Sequence, residues 1–386
     1  MKNKPSHFVI IGYIISVIAL FLYSYTQVDL NLTLSRASIV QSLQKSFQYI
    51  GFYNRPLSTV VYIGIITLFY LLYFQVLSLV KNKSIDRHKI WKIIYILVAV
   101  LVFSYPAFLS YDFFNYMFTA KTILVYHKNP YETIPLMFAG IDPWLNFMRW
   151  THLSTAYAPL WIFFSLIPYL LGFGYFILIM VNMKLLVALF YLLACKMIEK
   201  ILSREKPTEA AFGLALFALN PLIIVETLVS SHNDIVLSAF ALMSLWYLTR
   251  KDMISALFWL SMSIASKLMT IMLVPLYAFK KRTSWMLIAM IVGLVIVILK
   301  REFLPWYLVW VMPFVALEPS RKGLYVALSI LSCGLLLSYV PYLYIGSFTP
   351  FGQQVKTTII IVSIISSIIS FFIFERRNSC LQIASK

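Results

Sequence analysis

The chain has 386 residues, of which 61% are hydrophobic and only 12% are charged. Soluble domains have about 45 to 50% apolar and about 25% charged residues, so this composition excludes an ordinary soluble protein. The net charge is +18, but the basic residues cluster in short connectors between apolar runs. That pattern is typical of topology signals in a membrane protein and argues against a nucleic-acid partner.

Apolar runs recur along the whole chain, with no polar stretch long enough for a separate soluble domain. We therefore predict one integral membrane domain over residues 1–386, an all-α polytopic helix bundle. The first run, Phe8 to Tyr25, lacks a small-residue cleavage site and is predicted to be an uncleaved first span. Further runs are predicted at about residues 57–80, 90–109, 174–196, 210–229, 233–249, 284–299, 306–317, 324–345 and 357–374. The shorter ones indicate broken, re-entrant or buried helices, because a full span needs about 20 residues.

Two regions leave the number of crossings open. Residues 158–196 can cross the membrane once or twice, with a break at Gly172, and residues 253–279 can form one long span or two short ones that meet at Lys267. If the first region crosses once and the second crosses twice, the basic connectors all lie on the side of the N-terminus. By the positive-inside rule that side is cytoplasmic. These connectors are Lys81–Lys89, Lys196–Lys206, Arg250-Lys251, Lys280–Arg282, Arg321-Lys322 and Arg376-Arg377.

This choice predicts about twelve crossings with both termini inside, in a bundle located in the cell membrane. It also gathers the unusual polar segments on the outer face, namely residues 110–157, residues 230–234, Lys267 and Pro305-Trp306. Two basic features do not fit the rule, because Lys300-Arg301 would lie outside and Lys184 would lie in the middle of a span.

The segment 110–157 is the longest stretch between apolar runs. It mixes aromatic and polar side chains, as in the run Trp144 to Trp150. Such a mixture suits helices that lie in the membrane interface with their rings at headgroup depth. We expect an ordered outer loop with interfacial helices rather than a loose linker.

Asp112 is the first candidate for chemistry, because the chain has only 14 acidic residues and a carboxylate near the membrane is costly. It directly follows a predicted span, in an aromatic setting that would exclude water and raise its pKa. A raised pKa suits a general base that takes a proton from a hydroxyl. The structural alternative is that Asp112 caps the N-terminus of the following helix.

A second polar group joins two apolar helices with almost no loop. His232, Asn233 and Asp234, which follow Glu226 closely, could bind a phosphate, a sugar or an ion. The alternative is that Asn233 or Asp234 caps the next helix while Glu226 pairs with a basic neighbour. Capping alone leaves His232 and Glu226 unused.

Lys267 lies in the middle of a largely apolar run, where snorkelling is a poor explanation, and its ammonium would suit the phosphate of a lipid-linked molecule. The aromatic segments Pro305–Trp310 and Tyr157–Trp161 are by themselves most simply explained as interfacial belts. The lone residues His127 and His152 and the scattered cysteines show no metal-ligand spacing. No metal ligand is therefore predicted, although a divalent ion as cofactor remains compatible with the chain.

Taken in chain order, these features resemble the GT-C superfamily of membrane glycosyltransferases, and within it the bacterial polyprenol-phosphate-mannose-dependent mannosyltransferases. The resemblance covers roughly residues 90–317 and rests on short motifs in the matching order. The motifs are Ser110-Tyr111-Asp112, Asn129-Pro130-Tyr131, Tyr157-Ala158-Pro159-Leu160, Asn220-Pro221 with Glu226, His232-Asn233-Asp234, Ser266-Lys267 with Pro275, and Pro305–Trp310. The chain departs from the superfamily in having two extra spans before Asp112 and no second carboxylate close to it in sequence, since the nearest acids are Glu132 and Asp142.

The resemblance implies an enzyme that transfers a hexose, most simply mannose, from a polyprenyl-phosphate donor to a hydroxyl of a glycan or glycolipid, on the outer face and with inversion. Residues 110–157 would be the outer catalytic loop, and Asp112 would be the base. The implied donor-binding residues are His232, Asn233, Asp234, Lys267, Trp306 and Tyr307. The implied supporting residues are Tyr116, Asn129, Tyr131 and Glu226. Donor, acceptor and membrane lipid would be the partners.

A secondary transporter or lipid flippase is the main alternative, with Glu226, Asp234, Lys184 and Lys267 in an ion or substrate path. That hypothesis predicts paired broken helices with internal symmetry, and no repeat is visible in the sequence. A third hypothesis is a non-catalytic assembly partner that uses the aromatic outer segment as a docking surface.

Overall fold

The computed structural model describes residues 4–278 and 283–384, with side chains for residues 7–277 and 284–375. Within these ranges every regular element is helical and none is a strand, which confirms the all-α prediction. The basic connector Lys280–Arg282 and the side chains of Arg376-Arg377 lie outside the described residues.

The α-helices are α1 (Lys4–Ser24), α2 (Ser38–Gln48), α3 (Arg55–Lys81), α4 (Arg87–Leu101), α5 (Asp112–Leu124), α6 (Pro159–Leu170), α7 (Phe176–Glu205), α8 (Ala210–Ala218), α9 (Pro221–Ile223), α10 (Asp234–Thr249), α11 (Met253–Ser266), α12 (Val274–Ala278), α13 (Thr283–Ile298), α14 (Met312–Ala316), α15 (Lys322–Leu337), α16 (Val340–Ile345) and α17 (Pro350–Ala384). Short 3₁₀ segments lie at Tyr25–Gln27, Pro135–Phe138, Pro143–Asn146, Pro207–Glu209, Leu268–Leu273 and Pro305–Trp310. Two π-helical turns lie at Tyr49–Tyr53 and Ile224–Val229.

The described residues contain 5 helical stretches that are long and apolar enough to cross a membrane. These are His7–Gln27, Arg55–Lys81, Phe176–Glu205, Lys322–Ile345 and Pro350–Glu375. A bent pair, Pro207–Ala218 with Pro221–Val229, makes 6 if its two arms, which meet at 51°, form one span. The predicted number of about twelve crossings is therefore not confirmed. Several predicted spans are shorter apolar helices of 10–17 residues, such as α10 and α11.

The bent pair and α10 form the centre of the bundle. α10 packs against α7 and α11, and every residue from Gly213 to Leu242 is buried. A break in a lipid-exposed helix would leave backbone groups unpaired, whereas a break inside protein can be satisfied by neighbouring side chains. Asn220 does this, because its side-chain oxygen accepts from the backbone N–H of Leu222 at 3.0 Å. Burial therefore explains why short helices are tolerated here.

The two regions that left the topology open both contain a sharp break. Between α6 and α7 the chain turns with positive φ angles, 48° at Phe173 and 80° at Gly174. By length only α7, with 30 residues, can span, because α6 has 12. Between α11 and the 3₁₀ segment Leu268–Leu273 the helix is interrupted by Lys267, whose backbone is extended, with φ −166° and ψ 132°. Lys267 thus lies at a helix junction and not in the middle of one long span.

In the segment 110–157 the main helix, α5, is largely buried by protein. Phe113, Phe114 and Met117 of α5 are at most 1% exposed, and α5 packs against α6. Two ion pairs hold the rest of the segment. Lys121 lies 2.6 Å from the carboxylate of Asp142, and Arg149 lies 3.0 Å from that of Asp29.

Candidate active site

Four segments that are distant in sequence meet at one site. They are the start of α5, the turn at residues 230–233, the break after α11, and the 3₁₀ segment Pro305–Trp310. Backbone geometry makes the meeting possible, because Ser231 adopts a left-handed φ of 54° and turns the chain sharply into α10. The side chains gathered here are Asp112, Glu226, His232, Asp234, Lys267, Trp306, Tyr307 and Trp310.

Asp112 is the first residue of α5 and is not its N-cap. The N-cap position belongs to Tyr111, and no side chain caps the helix there. The carboxylate of Asp112 is 24% exposed and lines a cavity of about 380 Å³. The structure therefore does not support the alternative that Asp112 caps the N-terminus of α5.

The surroundings of Asp112 change its proton affinity. Burial raises the pKa of Asp112 to about 6, in spite of the opposing positive charge of Lys267. The negative charge of Asp234 acts in the same direction as burial, and a hydrogen bond from Trp150 acts against it. A carboxylate with a pKa near 6 is ionised at neutral pH and is still basic enough to accept a proton in a transition state.

His232 lies directly behind Asp112. Its side chain is 1% exposed, with Nδ1 at 3.9 Å from Oδ2 of Asp112 and Nε2 at 3.4 Å from Oε2 of Glu226. The imidazole stacks on Trp306 with ring centroids 4.0 Å apart and planes 19° apart. Burial, followed by the charge of Lys267, lowers the pKa of His232 well below its ordinary value, so the ring is neutral. Tyr339 donates a hydrogen bond of 3.1 Å to the other oxygen of Glu226.

Asp234 begins α10 but does not cap it. One of its oxygens, Oδ1, accepts from Nζ of Lys267 at 2.6 Å and also from the indole N–H of Trp310. The other oxygen, Oδ2, is buried and makes no hydrogen bond to a described residue. Asn233 occupies the N-cap position, and its side chain makes no capping bond. Neither residue therefore plays the capping role that the sequence left open.

Lys267 is paired yet accessible. Its side chain is 33% exposed while that of Asp234 is 1% exposed. Nζ also lies 5.2 Å from the ring centroid of Trp310 and 6.0 Å from that of Tyr307. The two rings stack on each other with centroids 4.5 Å apart. An ammonium over aromatic faces with one carboxylate partner can still accept an anionic ligand from the open side.

The cavity in front of Asp112 is lined by residues from the outer segment and by one cation. Asn115, Thr119, Trp150 and Tyr157 contribute polar or aromatic groups, and Arg301 lies at the same cavity. Tyr116 supports this wall from behind, since it is 2% exposed and its ring meets those of Tyr157 and Trp161 edge-on. A volume of about 380 Å³ is within the range of small-molecule sites.

Two of the expected supporting residues lie outside this cluster. Asn129 is exposed and donates to Glu132 at 2.8 Å, and its side-chain oxygen accepts from the backbone N–H of Tyr131 at 3.1 Å. Tyr131 is 45% exposed and donates to the carbonyl oxygen of Tyr157 at 2.9 Å. Both make hydrogen bonds within the outer segment, and neither lines the cavity that contains Asp112. The carboxylate that acts on the pKa of Asp112 comes from Asp234, which is distant in sequence.

Three further residues line or support the site, and sequence reasoning gave none of them a role in catalysis. Trp310 holds Asp234, Arg301 lines the cavity, and Lys184 supports both reactive segments from behind. The buried ammonium of Lys184 donates to the carbonyl oxygen and the hydroxyl of Ser104 and to the carbonyl oxygen of Val229, at 2.7–3.0 Å. The sequence does mark two of them as unusual, because Arg301 and Lys184 are basic residues that do not fit the predicted membrane topology.

In the part of the chain that the structure describes, no group of three or more His, Cys, Asp or Glu side chains is arranged to hold a metal ion. One oxygen of Asp234 accepts from Lys267 and Trp310, and one oxygen of Glu226 accepts from Tyr339.

Comparisons with known proteins agree with the resemblance seen in the motifs. No curated protein and no solved structure matches the chain significantly. The MptA_B family, described as "Alpha-(1->6)-mannopyranosyltransferase, N-terminal domain", matches residues 11–281. This range covers more than half of the chain and includes Asp112, His232, Asp234 and Lys267. The chain therefore belongs to the MptA_B family of mannosyltransferases, which is of the GT-C type.

Proposed function

We propose that this protein transfers a mannosyl group from a polyprenyl-phosphate donor to a hydroxyl of a glycan or glycolipid at the outer face of the cell membrane, with Asp112 as the general base. The observation that carries the proposal is the position of Asp112. Its carboxylate is partly open to a cavity of about 380 Å³, and its pKa is raised to about 6. A base of this kind in a small-molecule cavity is suited to deprotonate a sugar hydroxyl.

The proposed reaction is a single displacement. The oxygen of the acceptor hydroxyl attacks the anomeric carbon of the donor, and its proton passes to Asp112. The bond between that carbon and the phosphate oxygen breaks, and polyprenyl phosphate leaves with the electron pair. A single displacement inverts the anomeric centre. If the product is an α-(1→6) linkage, as the family description states for its members, the donor must be β-configured.

Two cations support the departure of the phosphate in this proposal. Lys267 is 33% exposed and Arg301 lines the cavity that Asp112 shares. Arginine can hold phosphate oxygens in a bidentate way, and lysine supplies a compact point charge. Cations at a leaving phosphate lower the barrier because they stabilise charge that develops in the transition state. Trp306 and Tyr307 would then flank the sugar or the first isoprene units.

His232, Asn233 and Asp234 act in this proposal by holding the reactive groups in place. His232 lies between Asp112 and Glu226, and its stacking on Trp306 fixes the ring plane. Asp234 orients Lys267 through a 2.6 Å ion pair. In this proposal His232 acts through its carboxylate neighbours, because its side chain is only 1% exposed.

The transporter hypothesis is less well supported by the same contacts. Asp234 and Lys267 form an ion pair with each other, and Glu226 accepts from Tyr339. Asp234 and Lys267 thus hold each other in a short ion pair, whereas a transport path requires charges that exchange partners with the cargo.

The decisive experiment is a transfer assay with membranes that contain the wild type, Asp112→Asn or Glu132→Gln. Radiolabelled polyprenyl-phosphate mannose is supplied with a total glycan and lipid extract, and label is followed into new products. We expect transfer by the wild type, a loss of at least 10²-fold in Asp112→Asn, and near-normal transfer in Glu132→Gln. Glu132 is a matched control because it is an exposed acid in the same outer segment and does not line the cavity.

The result can go against the proposal in two ways. Equal activity of Asp112→Asn and the wild type would remove Asp112 as the base. Absence of transfer from mannosyl, glucosyl and other hexosyl donors, together with label moving across the membrane intact, would support the transporter instead.

A further inference from the structure

A second polar cavity lies far from Asp112, at the other end of α7. It has a volume of about 470 Å³ and is lined by Arg87, Lys196, Glu199, Lys200, Ser203, Arg204 and Trp246. Sixteen residues of α7 separate Lys184, which lies behind the reactive cluster, from Lys200, which corresponds to roughly 24 Å along the helix. The cavity therefore is not part of the proposed active site.

The lining is strongly cationic and is built from three elements. Of the lining residues that the structure describes, four are cations and one, Glu199, is a carboxylate. Glu199 is 7% exposed and is shared by Lys196 at 2.6 Å and Arg87 at 3.4 Å. Arg87 is further held by a 2.9 Å hydrogen bond to Ser203. One carboxylate leaves a surplus of positive charge, so the cavity is suited to an anion.

The face of α7 that carries these cations continues as an apolar surface. Leu185 and Leu189 are 44% and 62% exposed, and at 100° per residue they lie on the same side of the helix as Lys196 and Lys200. Trp246 lines the cleft, with Nζ of Lys200 at 5.7 Å from its ring centroid. A partly exposed tryptophan beside cationic side chains is typical of the headgroup region of a bilayer.

We propose that this cleft binds the phosphate headgroup of an anionic glycerophospholipid of the inner leaflet, with the acyl chains lying along Leu185 and Leu189. Basic connectors at this end of the bundle indicate the cytoplasmic side, where anionic lipids attract Lys and Arg near the surface. The ligand chemistry is a phosphate diester carrying one negative charge, and the apolar stripe favours a lipid over a free phosphate. This inference does not depend on the transfer reaction.

The test uses the purified full-length protein and native mass spectrometry with phosphatidylglycerol, phosphatidylcholine, glycerol 3-phosphate or inorganic phosphate. The cleft variant is Lys200→Gln with Arg204→Gln. The matched control is Lys81→Gln with Lys92→Gln, which removes the same charge from exposed positions at the same end of the bundle that do not line the cleft. We expect the wild type to retain phosphatidylglycerol in preference to phosphatidylcholine, and the cleft variant to bind it about tenfold or more weakly.

The control pair should retain lipid like the wild type, and both variants should unfold at temperatures close to that of the wild type, because the changed residues are exposed. Equal lipid binding by the cleft variant and the wild type would overturn the proposal. So would an equal loss in both pairs, since that would be a general charge effect. Displacement of the lipid by glycerol 3-phosphate or inorganic phosphate alone would show a site for a soluble anion instead.

Discussion

At the residue scale, the chemistry of the site depends on how a few buried charges compensate one another. Asp112 has a raised pKa because burial outweighs the attraction of Lys267, and Asp234 and Lys267 hold each other through a short ion pair. Removal of one member of such a group changes the state of the others, because a buried charge without its partner is costly.

The pH profile of the reaction should report Asp112. Its pKa is raised to about 6, so the carboxyl is protonated below that pH and cannot accept a proton. We expect kcat/KM for mannosyl transfer to fall about tenfold for each pH unit below this value and to level off above it. Because Lys267 lowers this pKa, Lys267→Met should move the acidic limb to higher pH, whereas Lys267→Arg should leave it in place. A profile that is flat between about pH 5 and pH 7 would contradict the assignment of the base.

Arg301 offers a test with a neighbouring control. Arg301→Gln should lower kcat/KM about 10- to 100-fold, since a hydrogen bond to a charged group contributes about 1.5–3 kcal/mol. Lys300→Gln removes the same charge one residue away, from a position that does not line the cavity, and should stay near the wild type. The measurement is the initial rate against donor concentration. Equal losses in both variants would mean that the total charge of the segment matters and not the contact made by Arg301.

At the element scale, a single lysine joins the two segments that carry the reactive groups. Lys184 of α7 connects Ser104, which precedes α5, with Val229, which precedes the turn at residues 230–233. The ammonium is 1% exposed, and its three hydrogen bonds go to uncharged oxygens. The sequence left the position of Lys184 in the middle of a span unexplained. The structure explains it, because the side chain connects two segments of the bundle.

Replacement of Lys184 should destabilise this connection. Lys184→Met leaves two backbone carbonyl groups without their partner, and we expect a loss of about 2–4 kcal/mol in the free energy of unfolding. Ser104→Ala removes only the hydroxyl acceptor and should cost about 1 kcal/mol. Unfolding by sodium dodecyl sulfate, followed by circular dichroism, measures both. Equal stability of Lys184→Met and the wild type would mean that the free energy needed to bury the ammonium cancels the free energy gained from its hydrogen bonds.

At the scale of the whole molecule, the candidate active site around Asp112 and the cationic cleft around Lys200 lie at opposite ends of α7. Asp112, His232, Lys267 and Trp306 gather near the start of that helix, and Arg87, Lys200 and Arg204 gather near its end. α7 has 30 residues and a length of about 45 Å, which is enough to cross a bilayer. The two sites should therefore face opposite sides of the membrane.

Cysteine labelling can test this arrangement and the number of crossings together. In a background without the native cysteines, Glu132→Cys should react with a membrane-impermeant maleimide in intact cells. Lys83→Cys and Lys251→Cys should react only after the membrane is opened. Lys251 is informative because it follows α10, which has 16 residues and falls short of a full span by length. Labelling of Glu132→Cys and Lys251→Cys from the same side would show an even number of crossings between them, as expected if α7 and the bent pair cross and α10 does not.

The sequence by itself determined the class of the protein, because composition and apolar runs depend on local residue content. It also singled out Asp112, His232, Asp234 and Lys267, since a charged side chain in an apolar run is costly wherever the chain goes. The motif order was sufficient to indicate a GT-C mannosyltransferase, and the family match confirms it.

Only the tertiary structure decided which of these side chains meet. The roles of Trp310, Arg301 and Lys184 depend on contacts between segments that are far apart in sequence, which no local pattern encodes. The same holds for Asn129 and Tyr131, whose motif is present but whose side chains make hydrogen bonds within the outer segment and do not line the cavity that contains Asp112. Hydropathy also predicted more spans than the length of the helices supports, because a helix buried by protein is as apolar as one that faces lipid.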